Sequence, residues 1–163
     1  MLQSQTKKPA TVVQDNSWLY GTYDWATISP IHGRSGGGMM KLLKFTGCGF
    51  SIPANAQIKG QKIRIKRRSS QNSLDFFFTD GFISITKAGG LGPNFRDYER
   101  WLVSDTWKVY GGDTVQLAAG LVPADCNDAG FGFAFTPDGI SPEGEPGFAD
   151  VSDFEITVYY EVP

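Results

Sequence analysis

The stretch "QIKGQKIRIKR", residues 57–67, alternates apolar and charged side chains with a period of two residues. Ile63 and Ile65 fall on one face of this pattern. The opposite face carries the cations Lys62, Arg64 and Lys66. Successive side chains of a β-strand point to opposite faces, so the pattern is typical of an antiparallel strand with one face in the core and one in solvent. The stretch therefore predicts a half-buried strand with an outward basic face.

The same period recurs in "DFEITVYYEV", residues 153–162, which predicts a long strand. Shorter candidate strands are "LDFFFT" (74–79), "FISIT" (82–86), "WKVY" (107–110), "TVQLAA" (114–119) and "FGFAF" (131–135). Turns rich in glycine and proline separate them, and the pattern of "VPADCND" (122–128) predicts a single helical turn that begins at Pro123. We therefore expect an all-β fold, an antiparallel β-sandwich of jelly-roll-like form.

The length of 163 residues fits one domain with a sizeable core. Residues 1–10 are polar, and we expect a flexible N-terminal arm there, followed by a single β-sandwich domain over residues 11–163. The opening "MLQSQTKKPATVV" lacks the apolar stretch of a secretory signal, so we expect synthesis in the cytoplasm. No run approaches the roughly 20 apolar residues of a membrane span, so no membrane association is expected.

Charge is distributed unevenly along the chain, whose net charge is only -2. Residues 1–68 hold 11 Lys and Arg against 2 acidic residues, whereas residues 109–163 hold 10 acidic residues and no Lys or Arg. The two regions can pair within one fold as cross-strand neighbours or between copies, which favours self-association. A pI near 5.3 argues against a protein that binds nucleic acid through its phosphates.

Residues suited to catalysis are few. His32, the single histidine, lies in the glycine-rich stretch "SPIHGRSGGGMM", with only scattered serines nearby as nucleophiles. That stretch lacks the lysine-threonine ending of a P-loop, so we interpret it as a mobile connection. We expect no enzyme activity and assign no catalytic residue and no cofactor.

A metal site is not predicted either. The acidic residues near the C-terminus match no calcium-loop spacing, although calcium binding by the acidic loop 138–150 stays open. These residues are Asp138, Glu143, Glu145, Asp150 and Asp153. Cys48 and Cys126 are in no Cys-x-x-Cys pair, which favours buried free thiols and leaves a mutual disulfide as the alternative.

Four aromatic residues lie close together in a turn-rich stretch: Trp18, Tyr20, Tyr23 and Trp25. Exposed tyrosine and tryptophan rings can stack on sugar rings, whereas buried ones fill the space between sheets. We treat this group as candidate residues for glycan contact, with core packing as the alternative.

The order of several segments resembles a family of small β-sandwich proteins encoded in the structural modules of bacteriophages and prophages. The segments are "LLKFTGCGFSIPANAQIKGQKIRIKRR", "SDTWKVYGG", "LVPADCNDAGFGFAF" and "ADVSDFEITVYYEV", preceded by "KKPATVVQDNSWLY". In that family a "GF-FSIP-GA-I-GI" strand entry, a "YGG" turn, a "TPADIN--NFG" turn and a "VD-V-ITVYY" strand follow in similar order. The match covers most of the chain.

The resemblance implies a non-enzymatic virion protein, made in the bacterial cytoplasm and acting as a capsid decoration or head-fibre protein or at the tail tip. Its expected partners are the major capsid protein or other virion proteins and further copies of itself, in a homo-oligomer such as a trimer. The cations expected to make capsid or subunit contacts are Lys7, Lys8, Lys62, Arg64 and Lys66. The alternatives are a tail-tip carbohydrate-binding module for host-surface glycans and a glycan hydrolase.

Overall fold

The computed structural model of the chain describes residues 1–18, 20–28, 31–73, 75–88, 90–141 and 144–163. These residues form twelve strands and one short helix. The strands are β1 (Leu2–Lys7), β2 (Thr11–Asp15), β3 (Trp25–Ile28), β4 (Ile31–Ser35), β5 (Gly38–Met39), β6 (Leu42–Thr46), β7 (Gln57–Ser69), β8 (Phe77–Lys87), β9 (Gly90–Leu91), β10 (Thr106–Gly111), β11 (Gly132–Ile140) and β12 (Gly147–Glu161). The helix, α1, spans Pro123–Asn127.

The strands build two antiparallel sheets of six strands each. Sheet A has the order β10-β7-β12-β4-β3, with β1 also paired to β12. Sheet B has the order β2-β6-β11-β8-β9, with β5 also paired to β11. The chain therefore folds as an antiparallel β-sandwich, which confirms the expected fold class.

One core lies between the two sheets and is rich in aromatic rings. Phe45 stacks on Phe133 with ring centroids 4.6 Å apart, and Trp101 stacks on Phe135 at 5.7 Å. Sheet A contributes buried aliphatic side chains from the inward faces of its two longest strands. These are Ile63, Ile65, Ile156 and Val158. Inward alternation along β7 and β12 is thus what closes the sandwich.

Residues 2–7 do not form the flexible arm expected from their polar composition. They form β1, which pairs with Ile156–Glu161 of β12 in continuous register. On that side of β12, β4 pairs only with Gly147–Val151, so the second half of the strand would otherwise present an open edge. Backbone pairing with this edge needs no apolar side chains, which explains why a polar segment becomes a strand.

Three further elements differ from the sequence prediction. The two strands expected over 74–79 and 82–86 are one strand, β8, and Leu74 lies outside the described residues. The stretch 114–119 is irregular, although it alternates like a strand. The glycine-rich stretch around His32 contains β4 rather than a mobile connection. In each case long-range pairing, which local pattern does not contain, decides the outcome.

Among the described residues, no helix is long and apolar enough to cross a membrane. The predicted helical turn is confirmed as α1, where the backbone N–H of Val122 donates to Asp125 Oδ2 at 2.9 Å. Both cysteines are free and buried, which confirms that interpretation over a disulfide. Burial raises the pKa of each thiol to about 12, so neither is a reactive thiolate at neutral pH.

Candidate interaction surface on the outer face of sheet A

The outward side chains of β7 form a row of cations along sheet A. The neighbouring strand β12 places a carboxylate opposite most of them, because Arg64 is in register with Glu155 and Lys66 with Asp153. Arg64 Nη1 lies 2.9 Å from Glu155 Oε1, and Arg68 Nε donates to Asp150 Oδ2 at 2.8 Å. The basic strand and the acidic C-terminal strand are therefore cross-strand neighbours within one chain.

Aromatic rings on the flanking strands complete this row. The Arg64 guanidinium lies 4.2 Å from the centre of the Trp107 ring of β10. Lys62 Nζ lies 5.7 Å from the centre of the Tyr159 ring of β12. Such cation–π contacts hold the long side chains over the sheet while leaving their charged ends accessible.

Lys8 borders the same face, whereas Lys7 does not. Lys8 Nζ lies 2.7 Å from Asp153 Oδ1, and this contact lowers the pKa of the Asp153 carboxyl below its ordinary value. Lys7 is in register with Ile156, whose side chain points into the core. Paired residues of antiparallel strands point to the same face, so the Lys7 side chain lies on the core-facing side of β1 and not on the side of the basic row. Of the five predicted contact cations, the structure brings together four: Lys8, Lys62, Arg64 and Lys66.

We define the basic face as the outward cations of β7 with Lys8, Arg34 and the carboxylates paired to them. Its cations are Lys8, Arg34, Lys62, Arg64, Lys66 and Arg68. Its carboxylates are Asp150, Asp153 and Glu155, and Asp105 lies beside Arg68 and Ser152 at its edge, so the described residues leave two positive charges in excess. Within the described part of the chain, Arg34, Lys62 and Lys66 have no carboxylate within 4 Å. A chain of net charge -2 thus presents one locally basic surface.

His32 belongs to a polar cluster at one end of this face. Its Nδ1 contacts Asp150 Oδ1, while its ring stacks on Phe148 with centroids 4.7 Å apart. The cluster lines a cavity of about 480 Å³ that also includes Arg68 and Ser152. The hydroxyl of Ser152 donates to Asp105 Oδ1 at 3.3 Å, so it is not aligned by His32 as a nucleophile. His32 therefore lies on β4, although the stretch that contains it was predicted to be a mobile connection.

The four aromatic residues predicted as glycan contacts separate into two environments. Trp25 is buried in the core, and its Nε1 donates to the carbonyl of Lys41 at 2.8 Å, so the prediction for Trp25 is wrong. Tyr23 is half-buried and packs against the core. Tyr20 is 74% exposed and lies edge-on to Trp18, with centroids 5.5 Å apart. The ring centroids of Trp18 and Phe82 are 5.6 Å apart. We call Trp18, Tyr20 and Phe82 the aromatic patch.

The acidic residues near the C-terminus do not form one site. Asp150 and Asp153 bind cations of the basic face, while Glu143 lies outside the described residues. Among the residues that are described, no group of three His, Cys, Asp or Glu side chains is placed to hold a metal ion. The geometry therefore gives no support to a calcium loop within that part of the chain.

Sequence reasoning missed a buried polar network on the inward side of β7. Asp80 is fully buried and accepts hydrogen bonds from Arg67, from Trp101 Nε1 at 3.0 Å and from the Tyr110 hydroxyl at 2.6 Å. The backbone N–H of Asp97 adds a fourth at 3.2 Å. Burial, and secondarily the nearby Asp80 carboxylate, raises the pKa of Tyr110 well above its ordinary value. The signal in the sequence is an acidic residue, Asp80, inside the apolar run of residues 76–85.

Comparison with known proteins assigns the chain to no family. No protein-family model matches the chain. No curated protein matches it either. A solved structure described as "CBM4 structure and function" is similar over 94% of this chain and 92% of that chain, with a TM-score of 0.46 and 12% sequence identity.

Proposed function

We propose that the protein is a structural component of a bacteriophage virion that attaches to an acidic surface of the capsid through the basic face of sheet A. The observation that carries this proposal is the excess of two positive charges among the described residues of that face, in an otherwise acidic chain. The resemblance of its segments to phage-encoded β-sandwich proteins supports the virion as the setting. In this proposal the protein is not an enzyme and acts by binding.

The arrangement of the charges suits attachment. Ion pairs at the solvent boundary, such as partly exposed Arg64 with Glu155, contribute little to folding stability, so a partner's carboxylates can replace them at small cost. Lys62 and Lys66 form no ion pair with a carboxylate among the described residues, so their charges are available to carboxylates of a binding partner. Complementary charge also raises the rate of association and fixes orientation.

Self-association belongs to the same proposal. The outward acidic residues of one copy can contact the basic face of another. In a closed ring such as a trimer, every copy would make the same two contacts. Raising salt should then dissociate the oligomer, because screening weakens contacts between exposed charges. Light scattering at low and high salt measures this mass directly.

The test begins with immunogold electron microscopy of phage particles, using antibody against the purified protein. Gold over the heads is expected. Co-sedimentation with capsids then compares Lys62→Gln/Lys66→Gln with the control Lys41→Gln/Lys44→Gln, whose lysines pair with Asp24 and Asp15 outside the basic face. The first variant should bind at least about tenfold more weakly than the control. Equal binding by the two variants contradicts attachment through this face.

A second candidate function is glycan binding at a tail tip, and the aromatic patch is the observation that favours it. The exposed ring of Tyr20 beside Trp18 offers an apolar surface for a sugar ring. Titration with host polysaccharide should then shift tryptophan fluorescence in the wild-type protein and not in Tyr20→Ala. Gold at the tail, together with such a shift, would favour this function over capsid attachment.

A further inference from the structure

A cavity of about 480 Å³ lies at one end of the sandwich, away from the basic face. Its walls are the inward side of the first half of β7 and the irregular segment that leads into α1. The lining residues are Ala56, Gln57, Ile58, Lys59, Gln61, Gln116, Ala118, Gly120, Leu121, Val122 and Pro123. This volume is in the range of sites that hold small ligands.

Gln61 is the unusual member of this lining, because it is a fully buried polar residue. Its Oε1 accepts a hydrogen bond from the backbone N–H of Ala118 at 3.2 Å. That donor fixes the orientation of the amide, since the opposite orientation would set two donors against each other. Nε2 then carries two N–H groups, and it has no hydrogen-bond acceptor among the described residues.

A buried N–H group without an acceptor destabilises the fold, so the buried Nε2 of Gln61 is explained best by an acceptor from outside the chain. The wall opposite β7 is tied to Gln61 at three points. The backbone N–H of Gln61 donates to Val115 at 3.0 Å, and its carbonyl accepts from Gly112 at 3.0 Å. The Ala118 bond is the third. In this structure that segment covers Gln61 Nε2, so a ligand in the cavity reaches the amide only when the segment moves outward.

The remaining lining indicates which ligand fits. Lys59 is the only charged lining residue, and it is paired with Glu161 at 3.1 Å, so the cavity favours a neutral ligand. Ala56 and Ala118 give small apolar walls suited to a methyl group. The exposed residues Gln57 and Gln116 lie at the rim and offer amide groups to hydroxyls.

We infer that the cavity binds an N-acetylated amino sugar, with the acetamido carbonyl accepting from Gln61 Nε2 and the methyl group packing against the alanines. An acetamido group combines the acceptor and the small apolar end that this lining calls for, and the ring hydroxyls reach the rim glutamines. The site depends neither on the proposed capsid attachment nor on the aromatic patch, since it shares no residue with either.

The test is a titration of the full chain with N-acetylglucosamine, followed by backbone amide shifts in NMR. We expect shifts concentrated at residues 56–61 and 116–123, and at least tenfold weaker binding of glucose. Gln61→Met removes both polar atoms with a similar shape and should weaken binding at least tenfold, which corresponds to about 1.4 kcal/mol. Gln14→Met, on β2 of sheet B, is the matched control and should bind as the wild type does.

Each other outcome overturns the inference. No shift at saturating sugar means that Gln61 meets only an ordered water. Equal binding of glucose, or unchanged binding by Gln61→Met, removes the acetamido contact. Loss of binding in Tyr20→Ala but not in Gln61→Met assigns the sugar to the aromatic patch. If Gln61→Met does not fold, the exposed pair Gln57→Ala/Gln116→Ala takes its place and must weaken binding.

Discussion

The two faces of β7 carry the same three chemical groups in opposite environments. On the outward face, Arg64 pairs with Glu155 and lies over Trp107. On the inward face, Arg67 pairs with Asp80 and lies 4.7 Å from the centre of the Trp101 ring. We call these sets the outer cluster and the inner cluster. The two clusters differ in burial. The side chains of Arg67 and Asp80 are 6% and 0% exposed. Those of Arg64 and Glu155 are 34% and 29% exposed.

Burial gives the two clusters different roles. A buried carboxylate needs hydrogen-bond donors in place of water, and Asp80 accepts from four of them. Such a network fixes how β8, β10 and the segment around Trp101 pack, because removing one member leaves a buried charge without a partner. The outer cluster is screened by water and can exchange its carboxylate for one from a binding partner.

The largest difference should come from neutralising one carboxylate in each cluster. Asp80→Asn keeps the side-chain shape but leaves the Arg67 charge buried and unpaired, and we expect a loss of about 3–5 kcal/mol in the free energy of unfolding. Glu155→Gln makes the same change in the outer cluster and should cost at most about 1 kcal/mol. Urea-induced unfolding at neutral pH measures both. If the two losses were equal, burial would not separate the clusters.

The sequence predicted the outer cluster better than the inner one. Alternation of isoleucine with lysine and arginine is local information, and it placed Lys62, Arg64 and Lys66 on the solvent face correctly. The local pattern does not identify the role of Arg67, because its partner Asp80 lies on another strand in the other sheet. The inner network is made by the meeting of the two sheets, which no local pattern contains.

The candidate sites show the same division. The exposed Tyr20 and the buried Trp25 lie five residues apart in one turn-rich stretch, and composition could not tell them apart. The cavity next to Gln61 was missed because the stretch 114–119 alternates like a strand. In the structure this stretch wraps the end of β7 through its contacts with Gln61. Only the closed fold shows which polar residue becomes buried.

A smaller effect is expected from Arg64→Met, which keeps the apolar stem of the side chain and removes its charge. The variant loses the ion pair with Glu155 and the cation–π contact with Trp107, so we expect a loss of about 0.5–1 kcal/mol in the free energy of unfolding. Because the ion pair is exposed to salt, part of this loss should disappear in 1 M sodium chloride. Chemical unfolding at low and high salt measures both effects, and a loss as large as that of Asp80→Asn would contradict the assignment of this cluster to the surface.

The smallest effect concerns the border of the basic face, where Lys8 lowers the pKa of Asp153. A carboxyl whose pKa is lower in the folded chain than in the unfolded one stabilises the fold above its unfolded pKa of about 3.9, and this stabilisation is lost as pH falls through the folded pKa. Both side chains are largely exposed, so we expect only about 0.2–1 kcal/mol between neutral pH and the acid limit.

Removing the Lys8 charge should therefore flatten the acid side of the stability profile. Lys8→Gln should be slightly less stable than the wild type at neutral pH and should approach it as Asp153 becomes protonated. Lys62→Gln is the matched control, because Lys62 contacts the Tyr159 ring and no carboxylate among the described residues. Thermal unfolding from neutral pH down to acid conditions measures this convergence. If Lys62→Gln converged in the same way, the effect would come from the net charge of the face, and the specific pairing of Lys8 with Asp153 would have no measurable role in folding.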